Sequence, residues 1–239
     1  MLIKYLHFDA LDSTNTWTKN HAHELSPEGL TCITAKEQTA GIGRFKRSWI
    51  SPPGNLYATL FFTLPLHASY LPNIGQILAL SCTTLLQEKG FPVEIKWPND
   101  LLLHKKKIAG ILTETVQLGD SLAIVLGIGL NLNLSEEALA SINQPATSLT
   151  NFSKKNHTVE EILPCLLQSF LKNLTLIQQH SFTIFQQRFN NSLAYKGEEI
   201  TLKVGPHPLI GICQGIAADG RLQLLLPNGE IRLLWSGNE

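Results

Sequence analysis

A change of texture near residue 192 constrains this chain more than any other single feature. Beyond it lie four short β-type runs, EEITLKV, LIGICQGI, RLQLLL and EIRLLW, separated by Gly205-Pro206, Asp219-Gly220 and Asn228-Gly229. Asn-Gly and Asp-Gly supply the positive φ angles of tight hairpins, so residues 193–239 read as a small module of antiparallel strands closing into a compact barrel. Before residue 192 the pattern is mixed. Residues 3–8, 31–36 and 55–64 read as strands, the last one buried on both faces, and Asp12 or Ser13 can cap a short helix carrying Trp17.

Ile74, Ile77, Leu78, Leu85 and Leu86 fall at helical spacing, with Gly90 where a C-terminal cap belongs. Residues 93–97, 108–115 and 122–134 give three further strands, the pattern of a sheet covered by helices. Thr158 and Glu161 match a capping box that opens a long helix with Ile162, Leu166, Phe170 and Leu174 on one stripe; Pro164 is placed to kink its start.

Composition then removes whole classes of function. With 239 residues, 44% of them hydrophobic, the chain can bury a real core. Nineteen Lys and Arg balance nineteen Asp and Glu, so there is no global basic field for non-specific nucleic-acid binding. The N-terminus lacks the apolar core of a signal peptide, and no apolar stretch is long enough to span a bilayer, which points to a soluble, cytoplasmic protein without a membrane partner. Cys32, Cys82, Cys165 and Cys213 are scattered without ligand spacing, so neither a metal site nor a redox pair is signalled and four small core residues are expected.

Between residues 38 and 54 periodicity gives way to QTAGIGRFKRSWISPPG, a long loop. Gly41 and Gly43 clear room for a ligand near the backbone, while Arg44, Lys46 and Arg47 add fixed positive charge suited to a polyanion such as ATP. Neither the Walker loop nor the dinucleotide fingerprint is present. Trp49 can stack a base or pack. Lys96-Trp97-Pro98-Asn99-Asp100 ends a strand in turn chemistry, and Lys107 enters an apolar strand three residues before Gly110, where an ammonium can face a bound carboxylate or snorkel to water. Gly127 and Gly129 interrupt another apolar strand, the mark of a bulge or of close ligand approach; Asn131 and Asn133 follow as strand-end polar groups or ligand contacts.

In order, DSTN, QTAGIGR..RSW, SPPGNLY, KWPND, KIAGIL and GIGLN resemble the motif series of the biotin protein ligases, over roughly residues 12–133. The resemblance implies an α+β fold, a mixed β-sheet flanked by helices, with catalytic residues 1–192 and a Src-homology-3-like barrel over residues 193–239. It implies ATP and Mg²⁺ as cofactors, biotin as substrate, a biotin carboxyl carrier protein as partner, and a monomer or homodimer. DSTN begins at residue 12, which leaves no room for the helix-turn-helix of the family's repressor members.

On the same basis Arg44 and Lys107 hold phosphate and carboxylate oxygens, with Arg47, Trp49 and Asn131 on the ATP side. Ser13, Thr14 and Gln38 hydrogen-bond the ureido head of biotin, and Gly110, Gly127 and Gly129 line its ring and tail; Asn15, Gly41 and Ile42 complete that set. Asp100 orients the incoming lysine amine or supports the metal. The chain departs from the family at Ile42, where arginine is usual, and at Lys46, often glycine. Lipoate or octanoate ligases and transferases share the fold but carry an Arg-Arg-Gly-Gly-Gly loop absent here; a degenerate, non-catalytic biotin-binding protein is the other alternative.

Overall fold

The computed structural model describes residues 2–204 and 207–236. The Gly205-Pro206 turn expected from the sequence lies outside the described residues. Eleven strands are β1 (Ile3–Leu11), β2 (Leu30–Gln38), β3 (Leu56–Pro65), β4 (Val93–Lys96), β5 (Asp100–Leu103), β6 (Lys106–Leu118), β7 (Ser121–Leu130), β8 (Glu199–Val204), β9 (His207–Ile216), β10 (Leu222–Leu225) and β11 (Ile231–Leu234). The helices are α1 (Thr14–Asn20), α2 (Ile74–Glu88), α3 (Glu136–Ala140), α4 (Leu149–Ser153), α5 (Val159–His180) and α6 (Gln186–Asn191). Seven strands form one mixed sheet in the order β1-β2-β3-β7-β6-β5-β4, in which only β1 and β2 run parallel.

Alternation along β3 explains how the sheet is covered. Leu56, Ala58, Leu60, Phe62 and Leu64 enter the main core with residues of α2 and α5, and Phe62 and Phe170 pack with ring centroids 5.9 Å apart. Phe61 points the other way, into a smaller cluster with Val125, Ala22 and the half-buried Trp17. A strand sandwiched in this way tolerates apolar residues at every position. Each fully buried Leu or Phe in it contributes about 1.5–3 kcal/mol. The capping box at Thr158 forms as expected, and Pro164 lies within the continuous helix α5.

Three local expectations need correction. β7 ends at Leu130 rather than running to residue 134, because Asn55 Oδ1 accepts from Leu132 N (2.8 Å) and Asn133 N (2.9 Å) and draws the chain off the sheet. The Pro-Asn-Asp turn leads directly into β5, a strand the sequence reading lacked, which pairs with both β4 and β6. Cys32, Cys82 and Cys213 are buried, but Cys165 is exposed, since it falls on the side of α5 opposite the Leu163, Leu166 and Leu167 stripe. None of the four is disulfide-bonded.

The C-terminal strands form a separate antiparallel sheet in the order β11-β10-β9-β8. Gly220 and Gly229, at φ +91° and +85°, occupy the turns that their Asp-Gly and Asn-Gly pairs announced. The turn at Gly220 also anchors this sheet to the rest of the chain. Asn73 Nδ2 donates to Asp219 O, while Gln76 Nε2 and Trp97 Nε1 both donate to Gly220 O. Cys213, Ile216, Leu222, Leu224 and Leu234 carry the main core on into the small sheet.

Candidate active site

Register brings the glycines into rows on the α1 side of the sheet. Tyr57, Gly129 and Gly110 lie side by side across β3, β7 and β6; the next row is Thr59, Gly127 and Leu112, and the third is Phe61, Val125 and Glu114. The absence of side chains at Gly110, Gly127 and Gly129 opens a trough in an otherwise filled face. Over it sits α1, whose N-cap Ser13 accepts from Thr16 N, so that Thr14 and Asn15 begin the helix above Gly127. A methyl group at Gly127 would overlap Asn15 Oδ1, and one at Gly129 would overlap the Trp49 indole.

A β-bulge aims Lys107. Register between β5 and β6 shifts at Leu101/Leu102, and both Ile108 and Ala109 enter the core; the extra residue turns Lys107 to the same face as Gly110. There Lys107 Nζ pairs with Asp100 Oδ1 at 2.8 Å and stands 5.2 Å from the centroid of the Trp49 ring. Both members of the pair are mostly shielded from water, at 17% and 25% side-chain exposure, so its field is only partly screened.

The loop from residue 38 to 54 is folded, not featureless. Gln38 N donates to Ser51 O, Trp49 N to Gly41 O and Gly43 N to Arg47 O, which close it into an irregular hairpin. Gly41 is required inside it, where a Cβ would meet Trp49 O and Ser51 Oγ. The Gly43 N–H is therefore committed to the loop itself in this conformation. At the tip Phe45 and Lys46 both have φ +57°, left-handed backbone that glycine adopts more readily than lysine, and strain of this kind costs about 1–2 kcal/mol per residue. Ile42 is 42% exposed, paired through its backbone with Ser48.

Arg44 leaves the tip to donate from Nη1 to Asn99 Oδ1 (3.0 Å) and from Nη2 to Ser236 Oγ (3.2 Å), joining the loop, the KWPND turn and the C-terminal strand end. Burial pushes its guanidinium below the usual value; Asp100 opposes that shift and Arg47 adds to it. Asn99 in turn hydrogen-bonds Ile111 O, so the turn is fixed to β6.

Two cavities meet along Arg47, Ser48, Trp49, Lys107 and Gln144. One, of 350 Å³, is lined by Ser13, Thr14, Asn15, Gln38, Arg44, Asp100 and the three trough glycines, with Thr201 and Lys203 of the small sheet at its edge. The other, of 520 Å³, is lined by Arg47, Asn131 and residues 141–144. The indole is the partition, packed on Gly110 and Gly129 with its Nε1 buried and unpartnered. Asn131 donates to Thr147 O, whereas Asn133 is structural, bonded to Gly54, Thr150 and His157.

All fifteen site residues named from the sequence stand at one or both cavities except Gly41, which shapes the loop behind them. Sequence reasoning missed Thr59, Asn99, Glu114, Lys203 and Ser236. For Glu114 a signal existed: it lies at the two-residue spacing of Gly110 and Leu112, on the trough face of an apolar strand. Among the described residues no group of three or more His, Cys, Asp or Glu could hold a metal ion, and no helix is long and apolar enough to cross a membrane.

A pocket with hydroxyl and amide groups at one end, a lysine beyond them and a second cavity with a guanidinium on its wall meet in one site. The chain belongs to the biotin/lipoate A/B protein ligase family, whose model matches residues 7–131. It is 32% identical to the bifunctional ligase/repressor BirA of Escherichia coli, covering 96% of this chain and 71% of that one. It is equally 32% identical to the biotin–[acetyl-CoA-carboxylase] ligase of Paracoccus denitrificans, over 91% and 92%. A solved structure of the Aquifex aeolicus biotin protein ligase in complex with biotin and ATP superposes with a TM-score of 0.81, at 30% identity over 98% of this chain and 97% of that one.

Proposed function

We propose that this protein is a biotin protein ligase that condenses biotin with ATP to biotinyl-5′-AMP and passes the biotinyl group to a lysine of a biotin carboxyl carrier protein. The observation that carries this reading is the partition of the site. Thr14, Ser13 and Gln38 offer hydroxyl and amide groups at one end of the first cavity, Lys107 and Arg47 line both cavities where they meet, and Asn131 lines the second. Biotin fits the first, ureido head toward Thr14, with its carboxylate at Lys107. ATP fits the second. The acid and the α-phosphate then meet where Lys107 and Arg44 offset the repulsion of two anions, the task on which such a reaction depends.

In the first step a carboxylate oxygen attacks the α-phosphorus and pyrophosphate leaves. In the second, a carrier lysine attacks the acyl carbon and AMP leaves. An ordinary lysine is protonated near neutral pH, and Asp100 is the acidic residue lining the first cavity, placed to orient that amine once Lys107 has turned to the ligand. Mg²⁺ suits this site as an ion carried on the triphosphate, because it keeps most of its waters and needs few protein carboxylates. Residues 1–192 are the catalytic unit in this reading and residues 193–239 its accessory module, acting in the cytoplasm. Ile42 in place of arginine leaves less positive charge at the mouth of the first cavity.

The experiment is calorimetry with biotin and lipoate side by side, followed by carrier labelling with biotin, ATP and Mg²⁺. Biotin binding with labelled carrier is expected. Preference for lipoate, or binding without labelling, would reject the reading.

A further inference from the structure

We infer that Glu114, which does not itself line the cavity, sets the hydrogen-bond polarity of the pocket through a relay of side chains behind the cavity wall and so selects a ligand head that donates N–H groups. This rests on the biotin-ligase reading and deepens it.

The relay links two strands, β6 and β3, through helix α1. Glu114 accepts from Lys19 Nζ at Oε1 (2.6 Å) and from Asn15 Nδ2 at Oε2 (3.0 Å). Asn15 Nδ2 also reaches Leu112 O at 3.4 Å, and Asn15 Oδ1 lies 2.7 Å from Thr59 Oγ1, which lies 2.8 Å from Thr14 Oγ1. Asn15 is 4% exposed and Thr59 is fully buried, so water does not compete along the inner part of this path, while the Lys19–Glu114 pair at its outer end keeps side-chain exposures of 35% and 29%.

The direction of each bond follows from what each group can do. A carboxylate paired to an ammonium can only accept, so the Asn15 amide must turn its NH₂ toward Glu114 and its oxygen toward Thr59. That oxygen can only accept, so Thr59 must donate its single proton to it. Thr59 is then left as an acceptor for Thr14, whose hydroxyl proton goes to Thr59 or to Gln38 Oε1, 3.2 Å away, and in either case not to the cavity. Gln38 Oε1 meanwhile accepts from Thr14 N (2.8 Å), and Gln38 Nε2 donates to Ser51 Oγ (2.8 Å). The oxygen of Thr14 therefore presents lone pairs to the cavity. A ureido N–H is its natural partner, and a head that offers an acceptor there meets an unpaired lone pair.

Replacing Glu114 by glutamine keeps the shape and leaves one oxygen for two donors. Lys19 takes that oxygen, the new NH₂ faces Asn15, and the amide flips to accept from it. The bonds from Glu114 through Asn15 and Thr59 to Thr14 then reverse, the contact of the Asn15 amide with Leu112 O is lost because a carbonyl can only accept, and the Thr14 proton is released from Thr59 to the ligand or to Gln38 Oε1. Removing the competing ammonium as well frees the glutamine oxygen to face Asn15 and restores the original direction.

The test is biotin titration by calorimetry of the full chain, with melting temperatures as a control on folding, for wild type, Lys19→Met, Glu114→Gln and the double variant. Expected are wild-type affinity in Lys19→Met, at least tenfold weaker biotin in Glu114→Gln, and recovery to within threefold of wild type in the double variant. Glu114→Gln within threefold of wild type, or a double variant no better than Glu114→Gln, overturns the inference. Wild-type protein that binds no biotin rejects the ligase reading itself, and the relay's role with it.

Discussion

Lys107 and Asp100 form an ion pair at 2.8 Å across the bulged junction of β5 and β6, with the Trp49 indole beside the ammonium. The pair keeps a positive group at the meeting point of two cavities while its partner carboxylate prevents an uncompensated charge. A bound carboxylate can take over the ammonium and release Asp100 for the amine of the second step. Lys107→Met is therefore expected to lower pyrophosphate release by about 10²–10³-fold, the scale for removing one donor aimed at a developing charge. Asp100→Asn should slow carrier labelling more than pyrophosphate release. Separate assays of the two half-reactions check both.

Trp49 occupies the space above Gly110 and Gly129, with its indole N–H buried and unpartnered, a cost of about 1–3 kcal/mol that a ligand can relieve by drawing the ring away. Tryptophan emission is expected to shift when biotin and ATP are added together. In Trp49→Phe the shift should vanish, although Trp17, Trp97 and Trp235 remain.

Gly220 carries the contact between the two sheets in a conformation only glycine holds easily, at φ +91° and against Asn73 and Gln76. Gly220→Ala should destabilise the protein by about 1–3 kcal/mol, through positive-φ strain and displacement of those amides. Gly229→Ala, with φ +85° but open space around it, should cost less. Denaturant midpoints of the two variants compare the terms.

Alkaline pH should unfold the chain through its core thiols. Burial pushes Cys32 and Cys82 from 9.0 up to about 12 and raises Tyr57 as well. Unfolded thiols lose their protons above about pH 9 while the folded ones keep them. Their contribution is whole below that value and is lost as pH rises from about 9 toward 12, at ~1.4 kcal/mol per pH unit for each thiol. Urea midpoints under reducing conditions between pH 7 and 11 measure this slope, and Cys82→Ala should reduce it.

Much of this was legible because local chemistry and global fold agree. Ser13 caps α1, Thr158 and Glu161 form their box, and Asp219-Gly220 and Asn228-Gly229 make the turns they announce. The trough glycines were visible as breaks in apolar strands. What was not legible depends on register. The bulge at Ile108 and Ala109 decides which face Lys107 takes, and the link from Asn15 to Glu114 spans 99 residues. Cys165 shows the converse, a residue type usually buried that the helical period places outside.

The most direct measurement is mass-spectrometric detection of biotinyl-5′-AMP after incubating the purified chain with biotin and Mg²⁺-ATP, with no carrier present. The account predicts one adenylate bound per wild-type chain and its appearance about 10²–10³-fold more slowly in Lys107→Met at the same melting temperature. Wild-type protein that retains biotin yet yields neither adenylate nor pyrophosphate would contradict it.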